Sequence, residues 1–568
     1  MSLGPLIVAI GLIVGSMGCS MSASDKRITR LLDQYADQLG PSAMAPRRDF
    51  PPADEFRSPD QLDEDPETVN PSVDDLEFEE APGDRDAALR LDAYALDAIS
   101  GTPLDLSAAL RISQTSSREF LNAEEEYVLA AIRLLIERHR FGPRFFNDTR
   151  VAIDGNFDTT NNDTAITIVN ELRATQQLPY GGNVEASLIW NAAELLREEV
   201  SGEYSSATEL ALNANIPLLR DAGPIAKESL IQAERDMVYA ARAFERFRRE
   251  FLVDISRDYF DLVAQLAGIA NQQRTLASLL QSQERTAARV AAGREAAFQT
   301  RRFEENVLNQ RNSLIRAREN YILLLDRFKV RLGIPVTEDV LIVPTEIRVP
   351  EPEITTAEAA RTALQFRLDL QTRRDRLDDS RRAVANSKNQ LLPDLDLAGG
   401  IAVATDSADQ YGDFDFDFKE TDYNASVTFG LPLDREIERL NLRSSIINME
   451  RNIRGYEEFR DNVIVDARAS VRAIDQARFA LELAGQRVEI NQLVLEQLKL
   501  EEAESLEITT AESDLLQSEN DRDLAIRDLR VAVLEYLLET GQLRVTREGG
   551  FDPIPGMGPI LLDPGAVP

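Results

Sequence analysis

The chain has 568 residues, 28% of them charged and only 6% aromatic, and its formal net charge is −35. That length admits roughly three or four ordinary domains, but a middle dominated by Ala, Leu, Arg, Glu and Gln belongs to long helices packed through narrow seams. The charge repels nucleic acid, so no nucleic-acid partner is expected; it suits cationic partners or solutes, or simply a solvated acidic face.

Residues 6–20 read "LIVAIGLIVGSMGCS", an apolar run too short to span a bilayer comfortably, which ends in small residues and places Cys19 directly after Gly18. An export signal is expected over residues 1–18. The run resembles a bacterial lipoprotein signal in which Cys19 becomes the lipidated first residue of the mature chain. Ser16 stands where that pattern prefers Leu, and "MSLGP" lacks the usual positive charge, so an ordinary export signal or a short anchor with an incidental cysteine stays open. Within an amino-terminal segment taken as 19–103, residues from about Gly40 to Asp84 are rich in Pro and acid and read as an extended linker.

An internal repeat follows, with copies at about 104–334 and 335–541. In the first, the short helix "LDLSAALRISQTSSREF" leads into a helical run ending at "FGPRFFND", with Pro143. In the second, "TTAEAARTALQFRLDLQ" leads to "LLPDLDLA", with Pro393, and Ser113 and Ala363 precede these prolines by one interval. Each copy then has a β part, about 143–218 and about 393–432, the first longer by about 35 residues around "ELRATQQLPYGGNVEASLIW". Strand patterns close both parts. Leu210, Leu212, Ala214 and Ile216 share one face of the first, and Ala425, Val427, Phe429 and Leu431 one face of the second, with small polar residues opposite. That pattern fits a half-buried sheet in a soluble domain and equally a barrel with lipid outside and water inside. Aromatics lie nearby, Tyr180, Trp190 and Tyr204 in one copy and Tyr411, Phe414, Phe416, Phe418 and Tyr423 in the other, as an interfacial girdle or, for the FDFDF stretch, a loop.

Pro217 and Pro432 mark the strand-to-helix junctions, and beyond each runs a helix of about 65 residues without interior proline, roughly 100 Å long. Leu252, Ile255, Tyr259, Leu262, Leu266 and Ile269 recur three and four apart, with Leu276 and Leu280 continuing the seam; Val471, Ile474, Ala477 and Leu481 do so in the second copy, and Val488 and Leu495 each follow one heptad further on. Each copy ends in a shorter helix closed by Gly333 or Gly541, and a Pro/Gly-rich tail, 542–568, is expected to be irregular.

Catalytic equipment is missing from this pattern. Cys19 and His139 are single, so one chain builds no disulfide framework and no His/Cys metal site, and His139 beside arginines at a helix end reads as a surface residue. No Gly-rich phosphate loop stands between a strand and a helix. No enzyme, cofactor or metal is expected.

The double order of helix, β-hairpin and long helix resembles the TolC-like outer-membrane factor family from about Leu104 to Gly541. "RLDLQ" at Arg367 to Gln371, "LLPDLDLAGG", "NIPLLRDAG", "FGLPLDREIER" and "LLLDRFKVRLGIP" carry the likeness. The resemblance implies a mainly α fold with β, in which tandem repeats of antiparallel coiled-coil helices and β-hairpins form a homotrimer. Each chain would give four strands to a shared 12-stranded barrel in the outer membrane lipid, above a helical periplasmic tunnel. It implies a passive exit duct of a tripartite efflux or type I secretion system, docked to a periplasmic adaptor (membrane fusion protein) and an inner-membrane transporter. At the helix tips it places Arg289 and Gly293 at a turn that adaptors contact. Aligning Ala511 and Leu515 with the family's turn pattern sets Glu507 at one of two aperture positions that are acidic in some members; the other falls on Thr510. Three copies of Glu507, with Glu501, Glu502 and Glu504 nearby, would attract cations and repel anions, although an ordinary solvated acidic helix end gives the same composition. A periplasmic coiled-coil scaffold or adaptor with small soluble sheets is the alternative function.

Overall fold

A computed structural model of the chain describes residues 21–40, 43–46, 101–157, 162–196, 201–344, 346–347, 355–405, 416–501, 505–546, 550–552 and 562–563. The amino-terminal apolar run with Cys19, most of the acidic linker, Tyr411, Phe414, Glu502 and Glu504 lie outside the described residues.

In chain order the elements are α1 (Met21–Leu39), β1 (Thr102–Leu104), α2 (Leu106–Ser116), α3 (Arg118–Arg140), β2 (Arg144–Phe157), β3 (Asn162–Gln177), β4 (Asn183–Leu196) and β5 (Ser201–Pro217). After a short 3-10 turn come α4 (Glu228–Ala291), α5 (Ala297–Leu332), β6 (Val340–Ile342) and β7 (Glu346–Ile347). The second copy follows as α6 (Thr356–Phe366), α7 (Leu368–Asn389), β8 (Asp394–Thr405), β9 (Phe416–Gly430), α8 (Glu436–Leu500) and α9 (Ser505–Glu539). Three short strands end the described chain: β10 (Arg544–Val545), β11 (Phe551–Asp552) and β12 (Leu562–Asp563). Two units divide it, one of Met1–Tyr127, Ala241–Gln371 and Phe459–Pro568, the other of Val128–Ala240 and Thr372–Glu458.

The first unit is helical and repeats itself. Asp105 caps α2 by accepting the Ala108 amide at 2.7 Å, and Thr355 and Glu358 close a reciprocal capping box on α6. Each short helix then breaks at one extended residue, Ser117 or Arg367, whose amide still bonds back to Ser113 or Ala363. Ser113 and Ala363, fully buried, occupy matching places in the two copies. Beyond the first break Phe120 packs among Phe244, Phe247 and Phe251, with ring centroids 5.8 to 6.3 Å away.

The seam of α4 holds at Leu252, Ile255, Tyr259, Leu262 and Ile269, all buried. It departs from the sequence reading one turn later. Leu280 is exposed, and Leu279 instead joins Leu276, Phe303 and Val307 in a small core. There α4 packs against Phe303 and Val307 of α5, and that neighbour turns the buried stripe to the residue three rather than four beyond Leu276. In α8, Val471, Ile474, Ala477, Val488 and Leu495 are buried, Leu481 is half-buried, and Ala484 completes the stripe.

The described residues near both ends form more regular structure than the sequence implies. Ile28, Leu31, Leu32 and Tyr35 of α1 are buried. The tail, expected to be irregular, forms the β10–β11 hairpin and pairs β12 with β7. Arg248, fully buried, donates to the carbonyls of Val545 at 3.0 Å and Thr546 at 2.7 Å, which holds the hairpin's first strand against α4.

The second unit contains one antiparallel six-stranded sheet, ordered β2-β3-β4-β5-β8-β9. Four strands per chain are expected from the family resemblance. The extra pair, β3 and β4, is built from the residues that lengthen the first β part, and it separates β2 from β5. Helices of this unit lock through charge: Asp379 of α7 pairs with Arg235 and accepts the Tyr239 hydroxyl at 2.6 Å, and Arg382 pairs with Glu228 at 3.1 Å.

Candidate functional site: the two-faced sheet and the helix tips

Alternation along a strand sends successive side chains to opposite faces, so register decides which residues share a surface. Tracing the pairs across the sheet puts Val151, Ile168, Leu172, Leu188, Leu210, Leu212, Ile401, Tyr423 and Val427 on one face. The opposite face carries Asp148, Arg150, Glu171, Arg173, Glu185, Asn213, Asp396 and Asn424. The two apolar stripes read from "ELALNANIPL" and "YNASVTFGLPL" therefore lie on the same side of one sheet.

Among the described residues much of that side is exposed, although Thr208 and Val403 on it are buried. Val151 is 64% exposed, Val427 66% and Tyr423 85%, values typical of charged surface residues rather than of large hydrophobes. On the polar side Arg173 pairs with Asp148 at 3.4 Å and lies over the Phe146 ring at 5.5 Å, while on the apolar side Asn170 donates to Asn147 at 3.0 Å and to Thr149 at 2.7 Å. Of the aromatics noted in the sequence, Trp190 lies in β4, Phe416, Phe418 and Tyr423 in β9, and Tyr180, 75% exposed, in the turn between β3 and β4.

Pro217 is the last residue of β5, and Pro432 follows β9 by two positions. Lacking an N–H, each sits where the ladder stops and the chain turns toward a long helix. The turns beyond are tied to the end of α7 and the turn after it: the Asp221 amide donates to the Asn389 side-chain oxygen at 2.9 Å, and Arg435 donates to the Leu391 carbonyl at 2.6 Å.

The tips belong to the helical unit. At the first, Gly293 adopts a left-handed φ of 76°, its amide returning to the Val290 carbonyl and that of Arg294 to the Arg289 carbonyl, both at 2.9 Å. This glycine-terminated motif closes α4, and Arg289 pairs across the turn with Glu295 at 3.3 Å. At the second tip α8 ends at Leu500 with no glycine, and Glu507 and Thr510 lie exposed on the first turns of α9. The Thr510 hydroxyl donates to the Leu506 carbonyl at 2.9 Å. Glu501 is exposed at the end of α8, and Glu504 lies outside the described residues.

A more organised carboxylate escaped the sequence reading. Glu512, 3% exposed, accepts from Lys499 of α8 at 3.2 Å and from the Ser278 hydroxyl of α4 at 2.5 Å. It therefore ties three helices near the tip. Nearby, Asn271 donates to Asn520 and to Asp523, each at 3.0 Å, and Arg274 pairs with Glu519 at 3.2 Å. These residues were lost among the chain's 98 acids, since only the rotation of neighbouring helices tells which carboxylates face inward.

A second buried centre forms at the break of the second copy. Arg367, 5% exposed, reaches Asp369 at 2.7 Å, Asp466 at 3.7 Å and Glu539, and lies over the Phe459 ring. Arg246 pairs with the same Asp369. Burial alone would raise Asp369, but the hydrogen bond from Arg367 and the charge of Arg246 outweigh it and hold the carboxyl below its ordinary range. Burial pushes Glu539 up, and Arg367 offsets only part of that.

No protein-family model and no curated protein matches the sequence. Solved structures do match its shape. A CusC structure described for transmembrane channel formation aligns with a TM-score of 0.58 at 13% identity, covering 77% of this chain and 92% of its own. The Campylobacter jejuni CmeC outer membrane channel gives 0.55 at 14%, covering 79% and 86%, and the Vibrio cholerae outer membrane protein VceC gives 0.57 at 13%, covering 77% and 96%. At such identity the likeness speaks for the fold, and the chain has the fold of these outer-membrane channels, the TolC-like architecture its tandem repeat implies.

Proposed function

We propose that the protein is a passive outer-membrane exit duct, with no catalytic step of its own, that serves an inner-membrane transporter through a periplasmic adaptor in tripartite efflux or type I secretion. The observation that carries this reading is the sheet, apolar and exposed on one face, polar on the other, with both edge strands unpaired on their outer sides among the described residues. In water such edges and such a face invite aggregation; in lipid a sheet is tolerated only when closed. Six strands are too few to close around a filled interior, so further copies of the chain must complete the wall. A homotrimer does this. Ile437, Leu440 and Ile447 of α8, at 68%, 61% and 45% exposure, supply further apolar surface for such copies to cover. Among the described residues no helix is long and apolar enough to cross a membrane, and the sheet is the membrane wall in this proposal. Cys19 would anchor the amino terminus by lipidation, the turn at Arg289 and Gly293 would meet the adaptor, and Glu507 with Thr510 would line the periplasmic aperture.

Fractionation of the producing cell tests this against a periplasmic scaffold. The expected result is a protein that stays with outer membranes through salt washing, leaves them only in detergent, and is captured by cross-linking as three copies. Release by salt as a single chain would reject the duct.

A further inference from the structure

We infer that β3 and β4 belong to the membrane wall, so that three copies of the chain enclose 18 strands and make a barrel about half again as wide as one with four strands per chain. The inference rests on the trimeric duct proposed above and adds to it the size of the opening.

Register is the first support. β3 pairs with β2 along the whole of Arg144–Phe157, and β4 pairs with β5 along the whole of Asn183–Leu196. The pair is thus neither a plug folded into the lumen nor a flap, because its backbone donors and acceptors are used up in the ladder on both sides. Length agrees: β3 has 16 residues and β4 has 14, against the roughly 9–11 that a tilted strand needs to cross a bilayer.

Side-chain distribution is the second support. Ile168 and Leu172 of β3, and Leu188 and Trp190 of β4, fall on the apolar face that continues through Leu210 and Leu212 to Val427, with Asn170 the one polar β3 residue between them, while Glu171, Arg173 and Glu185 fall on the polar face together with Val169 and Ile189. A hairpin standing in water beyond the membrane has no reason to keep its apolar residues in phase with those of its neighbours. The turn is also fixed at the helical end of the sheet. The Leu178 amide bonds to the Gly182 carbonyl at 2.9 Å, and the Tyr180 carbonyl accepts the Gly223 amide, also at 2.9 Å, just after β5 ends.

Width follows from geometry. Strands spaced about 4.8 Å apart and tilted about 40° give a backbone diameter of about 24 Å for 12 strands and about 36 Å for 18. Strand number in this range separates side-chain-filled barrels from open aqueous ones, so the membrane section would pass solutes too wide for the smaller ring.

Single cysteines on the full chain test the placement, with Glu171→Cys and Leu172→Cys in β3 compared with Asn213→Cys and Leu212→Cys in β5, each carrying an environment-sensitive fluorophore in proteoliposomes. The expected result is quenching by brominated lipid at positions 172 and 212, and quenching by aqueous iodide at 171 and 213. If the β5 pair behaves so and the β3 pair does not, the hairpin lies outside the wall and the inference falls while the duct stands. If neither pair does, both fall. Electron cryomicroscopy of the detergent-purified protein gives an independent count: 18 strands in a ring about 36 Å across is expected, and a trimer with 12 strands, or a two-copy ring of 12, overturns the inference.

Discussion

Gly333→Ala is expected to be among the most damaging single substitutions in the helical unit. Gly333 ends α5 at φ 80°, and a Cβ built there would lie 2.0 Å from the Ser116 carbonyl oxygen. The obstacle is backbone at the break between α2 and α3, which cannot swing aside as a side chain would. The left-handed conformation costs a non-glycine residue about 1–2 kcal/mol, and forced overpacking about 1–3 more. Gly293→Ala is the control, since it shares the positive φ but meets no atom within 4 Å, and should cost only the first of these. Thermal unfolding followed by helical circular dichroism in detergent, with both variants side by side, measures the difference. Equal losses would mean that the packing against Ser116 contributes nothing.

Arg367→Met should destabilise the same unit by about 3 kcal/mol, near the lower end of the cost of stranding buried charge, because Asp466 is half-exposed and water shares its solvation. The substitution keeps most of the side chain's length over Phe459 and removes the cation that Asp369, Asp466 and Glu539 share. Its pH dependence has a defined sign. Asp369 has a folded pKa below its unfolded one, so it contributes stability that is present above the unfolded pKa and lost as pH falls through the folded one. Glu539, raised by burial, opposes folding when ionised and is relieved as pH falls toward its folded pKa. The gap between wild type and variant should therefore be widest at neutral pH and narrow under acid. Urea titrations at pH 7 and pH 4.5 measure it; a gap that widens on acidification would contradict the assigned network.

Much of the architecture was legible because the signals that set it are local. Pro143 and Pro393 fall at equal intervals from buried small residues, and Gly333 and Gly541 stop their helices through backbone bonds that need no partner chain. The seams were legible for as long as one face stayed buried, and lost where packing against Phe303 and Val307 moved burial from Leu280 to Leu279. The strand number was not legible. β3 reads "NDTAITIVNELRATQQ", so rich in Thr, Asn and Gln that its apolar face is thin, although the Gly181–Gly182 turn that follows marks a hairpin. Only the ladder shows that its few apolar residues coincide with those of β2 and β4. The Glu512 and Arg367 centres were hidden for a related reason. Their partners come from helices distant in sequence, and period along one helix carries no record of which neighbour it meets.

The duct itself is tested most directly by current across a planar lipid bilayer. The purified full-length protein, added in detergent, is expected to insert and give discrete conductance steps, with cations favoured over anions by the acidic residues of the polar face and of the helix tips. A protein that stays a water-soluble single chain and leaves the bilayer silent would contradict the account.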